Sequence, residues 1–137
     1  MTVKAVKLGR LHTVLILFVA INIMGDISNV AFWWANSSSR DASLNTGYIA
    51  SVAGNGNALI AGTIILLVVS AVYVAALFGL LKKMAWAPLL VIAISVANRA
   101  IALPLYFISP AFAFWAVWTV ILVAVSYLDW KKLKAQP

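Results

Sequence analysis

Two charged side chains interrupt stretches of sequence that are otherwise almost wholly apolar. Residues 11–34 carry Asp26 among Leu, Ile, Val, Phe and Trp, and residues 84–108 carry Asn98 and Arg99 in the same setting. Each run is long enough to cross a bilayer, which takes about 20 apolar residues in a helix. Two further runs, 57–81 and 111–130, share that character. Of the 137 residues, 65% are hydrophobic and 9% charged, whereas soluble domains carry about a quarter charged residues. A soluble fold of this size has no room to hide so much apolar surface, so hydrocarbon is the expected solvent.

The pattern predicts an all-α integral membrane protein. A single domain, 1–137, is expected, with four transmembrane helices at 11–34, 57–81, 84–108 and 111–130 in an up-down-up-down bundle. These runs nearly exhaust the chain, and no internal repeat divides it. The basic flank of Lys4, Lys7 and Arg10 resembles the start of a signal peptide, but the apolar run after it is too long and lacks a small-residue cleavage site, so a retained first helix is expected. Residues 35–56 form the one long polar segment. Within it Leu44, Tyr48, Ile49 and Val52 recur at helical spacing, which allows a short helix on the membrane surface. Ser109-Pro110 is a good helix start, and so short a connection makes the third and fourth helices antiparallel neighbours.

Charge sets the expected orientation. With four spans both termini share a side with the Lys82-Lys83 turn. Of the ten Lys and Arg residues, that side holds Lys4, Lys7, Arg10, Lys82, Lys83, Lys131, Lys132 and Lys134; the other holds Arg40, and Arg99 lies within a span. Basic residues collect on the cytoplasmic side, so both termini are expected there, facing anionic headgroups. Helix ends thus account for the net charge of +7, and no nucleic-acid partner is expected. Trp33 and Trp34 mark the outer interface, Trp86 and Trp130 the inner one.

The same topology brings Asp26 and Arg99 to one depth. Each lies about 13 residues past the inner edge of its helix, roughly 20 Å into a core about 30 Å thick. An isolated charge there costs between about 3 and 10 kcal/mol, and opposite charges relieve each other. Asn22, Asp26, Asn29 and Trp33 share a face of the first helix. Ser95, Arg99 and Tyr106 share one of the third, with Asn98 beside it. An ion-pair or ligand site built from Asp26, Arg99, Asn22, Asn29, Asn98 and Ser95 is the expectation. Pro104 removes the amide that would bond the Ala100 carbonyl and is expected to kink the third helix just beyond Arg99. On the second helix Ala71, Ala75 and Gly79 fall four apart, a spacing that lets another helix approach closely.

The residues present narrow the chemistry. There is no Cys, hence no disulfide, thiolate metal site or thiol nucleophile. His12 is the only histidine; it is read as a polar residue at the inner boundary, since zinc or haem ligation would lack partners. Trp115 and Trp118 are read as packing or belt residues and Asp129 as an interfacial charge. No nucleophile–base pair or metal cluster stands out, so no cofactor is expected and the chain is read as non-enzymatic. In length and span count it resembles small multidrug transporters, but those carry a glutamate in the first helix and this chain has no glutamate. Two functions follow. One is a subunit or accessory of a larger membrane assembly, as a homo-oligomer or with other membrane subunits. The other is a small transporter, channel or ligand binder that uses the Asp26–Arg99 site.

Overall fold

A computed structural model describes residues 3–35, 56–106 and 110–136. Among the described residues the chain is all-helical: α1 is Val3–Ala35, α2 Gly56–Leu81, α3 Trp86–Tyr106 and α4 Pro110–Lys134. Three stretches are long and apolar enough to cross a membrane, Gly9–Ala31, Ile60–Leu81 and Phe114–Lys134; Trp86–Ile101 of α3 is a shorter apolar helix. The segment around Leu44, Tyr48, Ile49 and Val52 lies outside the described residues.

Helix ends follow local chemistry. α1 begins ahead of the apolar run because Lys4, Ala5, Lys7, Leu8 and Arg10 are all good helix formers. α4 begins with Pro110, where the missing amide would have no partner anyway. α2 ends in a paired set of backbone bonds: the Lys83 amide donates to the Leu80 carbonyl at 2.8 Å and the Met84 amide to the Gly79 carbonyl at 2.9 Å. Lys83 takes the left-handed conformation this ending requires, with φ 55°. The chain then reverses into α3 within a few residues.

The helices pack in a ring. α1 lies against α2, α2 against α3, α3 against α4, and α4 closes on α1. Each helix offers one narrow stripe to the interior: Leu15 and Val19 from α1; Val69, Tyr73, Ala76 and Leu80 from α2; Ala87 and Val91 from α3; Leu122 from α4. The three-and-four spacing within each set is that of one helix face. The outward faces are equally apolar. Leu17, Ile21, Met24 and Ile27 on α1 and Phe114, Val117 and Val120 on α4 are all more than half exposed. In hydrocarbon such a surface would carry no penalty, and close packing and polar contacts would then decide which faces turn inward.

Gly79 shows how close that packing is. A Cβ there would fall 2.7 Å from the Ala87 Cβ and 2.7 Å from the Trp86 ring. The glycine lets the start of α3 lie directly on the end of α2. Ala75 and Ala71, one and two turns earlier, are exposed.

Candidate functional site

Polar side chains from all four helices enter the interior. α1 brings Asp26, which lies within hydrogen-bonding reach of Ser70 on α2 and electrostatic reach of Arg99 on α3. Arg99 is itself positioned by α4. Its Nε donates to Thr119 Oγ1 at 3.1 Å, and its guanidinium carbon sits 5.8 Å from the centre of the Trp115 ring. The Thr119 hydroxyl in turn donates to the Trp115 carbonyl one turn back at 2.8 Å. Trp115 therefore holds Arg99 twice, by its π face and through Thr119.

A second contact lies alongside. Tyr73 on α2 and Ser95 on α3, both buried, share a hydroxyl–hydroxyl bond of 2.8 Å. Tyr73 is within electrostatic reach of both Asp26 and Arg99, so the two contacts belong to one cluster. Asn22, one turn before Asp26, donates from Nδ2 to the Phe18 carbonyl at 2.8 Å. Its Oδ1 accepts the Trp118 indole N–H at 3.2 Å.

Satisfaction is incomplete at one atom. Asp26 Oδ2 is buried without a hydrogen-bond partner among the described residues. Buried polar atoms are almost always paired, and an exception calls for a reason. Asn29 and Asn98 are half-buried. The side chain of Pro104 lies outside those described; the helix runs through that position to Tyr106.

A second polar centre, at the end of the bundle that carries the basic residues, corrects the reading of His12 and Asp129 as boundary groups. His12 is 6% exposed and Asp129 0%, and their Nδ1–Oδ2 distance is 2.8 Å. His12 Nε2 lies 2.6 Å from the Leu80 carbonyl. One imidazole thus joins α1, α2 and α4. The signal in the sequence was depth: His12 opens the first apolar run, while Leu80 and Asp129 close the second and fourth. Asp129 Oδ1 is buried without a partner among the described residues.

The two centres are separated by an apolar layer of Leu15, Val19, Ala76, Val91 and Leu122. Ser126, fully buried one turn from Asp129, turns its hydroxyl back to the Leu122 carbonyl at 2.7 Å. Among the described residues no group of three metal-ligating side chains converges. Comparison with protein-family models, curated proteins and solved structures finds no match to this chain.

Proposed function

We propose that the chain is a non-enzymatic, multi-pass membrane protein whose four helices enclose a site for a small hydrogen-bonding ligand or ion at Asp26 and Arg99. The observation that carries this reading is Asp26 Oδ2, a buried acceptor without a partner among the described residues, in a cluster to which every helix contributes. A carboxylate retained only to fix helix register would be expected to have both oxygens satisfied, because an unpaired polar atom in hydrocarbon costs several kcal/mol. Arg99, steadied by Thr119 and Trp115, supplies the complementary charge.

The membrane topology belongs to the same proposal. Four spans run alternately up and down, with both termini cytoplasmic. The meeting of His12 near the start of α1 with Leu80 and Asp129 near the ends of α2 and α4 supports alternation. The bond from the Trp34 indole, near the end of α1, to Thr63, near the start of α2, at 3.0 Å supports it from the other end. The gathering of eight basic residues on one side supports the orientation.

The exposed Ala71 and Ala75 favour a second reading, as a subunit of a larger assembly or a homo-oligomer. Small residues exposed on a helix let a second helix approach closely. One experiment separates the two. The chain and its Asp26→Asn, Arg99→Gln and double variants are reconstituted in vesicles and assayed for uptake of protons and small ions, with thermal stability measured in parallel. A ligand or ion site predicts uptake by the parent and a double variant that is stable but inert. No uptake by the parent, with single variants unstable and the double variant restored, would make the pair structural and leave the assembly reading.

A further inference from the structure

The chain's only histidine is held between two acceptors. A carbonyl oxygen can only accept, so the 2.6 Å contact to Leu80 requires a hydrogen on His12 Nε2. The 2.8 Å contact to Asp129 requires another. Either Nδ1 donates to the carboxylate, or a protonated Oδ2 donates to Nδ1. Both forms hold the same number of protons and carry no net charge. Without that shared proton one ring hydrogen is left for two acceptors, so an imidazole lone pair must face either the carboxylate or the Leu80 carbonyl in a buried site.

The pair sits where three helices meet, and it also ends one of them. The Leu80 carbonyl, which accepts from His12, accepts as well from the Lys83 amide at 2.8 Å, so the imidazole contributes to the C-terminal cap of α2. The charged groups around the pair are cationic and exposed: Arg10 on α1, Lys82 and Lys83 in the turn after α2, and Lys131 and Lys132 on α4. The part of α3 at this end, residues 86–91, has no titratable side chain. None of these cations replaces the shared proton, since Asp129 Oδ1 has no partner among the described residues.

We propose that His12 and Asp129 form a one-proton latch that ties α1 and α4 to the end of α2 and closes the basic end of the bundle. Loss of the shared proton releases it. Water then reaches Asp129 and the layer beneath it, beginning with Ser126.

The chain has no cysteine, so a single introduced thiol reports the opening. The full chain carrying Ser126→Cys is labelled in detergent micelles with N-ethylmaleimide between about pH 5 and about pH 9, an interval that includes the range over which imidazoles ordinarily change charge. Rates are divided by those of the exposed site Ala135→Cys, which removes the pH dependence of the thiol itself. The latch predicts a low ratio at the acid end that climbs by up to about tenfold per pH unit, the response of one proton. The Asp129→Asn variant supplies its own N–H to Nδ1 of a neutral imidazole. It keeps every neighbouring cation, and its ratio is expected to stay low and flat. A pH-independent ratio in the parent overturns the latch, whether or not the variant folds. An unchanged pH response in Asp129→Asn overturns it too, by assigning the response to the surrounding cations.

Discussion

Trp118 donates its indole N–H to Asn22 Oδ1 across 3.2 Å, and its ring lies 4.9 Å from that of Phe18, whose carbonyl accepts the other end of the Asn22 amide at 2.8 Å. One tryptophan on α4 thus reads a full turn of α1, by shape at Phe18 and by hydrogen bonding at Asn22. The contact closes the ring of helices next to Asp26 and limits how far α1 can rotate.

Asn22→Leu removes the acceptor and leaves the indole N–H unpaired. Hydrogen bonds between membrane helices are worth about 0.5–2 kcal/mol, and a loss of that size is expected in reversible unfolding from mixed micelles. Trp118→Phe in the same background should regain part of it, because the orphaned donor disappears while the ring contact is largely kept. A double-mutant cycle with no coupling would remove the bond from the account of α1–α4 packing.

At Gly79 the expectation is steric. Gly79→Ala puts a methyl group against the Ala87 Cβ and the Trp86 ring, each at 2.7 Å. The indole end can shift, but Ala87 is fixed to the backbone, so the hairpin must widen. Overpacking of this kind costs about 1–3 kcal/mol. Ala75→Leu, at an exposed position, should leave the stability of the single chain unchanged. Any effect would appear only as a change in oligomer size by light scattering. Equal melting temperatures for Gly79→Ala and the parent would contradict the close approach.

Lys83 holds a backbone conformation that suits glycine, with φ 55°. Lys83→Gly keeps both capping bonds and relieves the crowding of the Cβ, for which roughly 1 kcal/mol is the expected gain. Lys83→Val should lose stability, because β-branched residues rarely adopt this conformation. Thermal unfolding of the two variants beside the parent tests the pair of signs. Stabilisation by valine would overturn the assignment of the turn.

The apolar runs were readable from the sequence because hydropathy is a local, additive property. Rotation about each helix axis was not. On α2 nearly every residue is apolar, so no contrast separates the inward Val69, Tyr73, Ala76 and Leu80 from the exposed Val68, Val74 and Phe78. Of Ala71, Ala75 and Gly79, Gly79 is buried against α3, while Ala71 and Ala75 are exposed on the single chain. Around Asp26 the charged residues stood out, but Thr119 and Trp115 on α4, which position Arg99, did not, since hydroxyl and indole groups are common in membrane helices. His12 and Asp129 were missed for a different reason. Depth matching singles out charges in mid-span, whereas a polar residue at a helix end reads as water-exposed.

Labelling geometry tests the topology on which the depth arguments rest. In the proposed topology Ser38 follows the first span and Ala135 the fourth, so three crossings separate them and they should face opposite sides. In the proposed orientation the end with Arg10, Lys82, Lys83, Lys131 and Lys132 lies in the cytoplasm, as the gathering of basic residues there would favour. Single cysteines at the two positions, in sealed cells treated with a membrane-impermeant maleimide, should label at Ser38→Cys only. Ala135→Cys should react only after the membrane is opened. Labelling of both from outside would require an even number of crossings between them. Asp26 and Arg99 would then no longer be matched in depth on helices that rise in the same direction, and the membrane setting proposed for their site would fail.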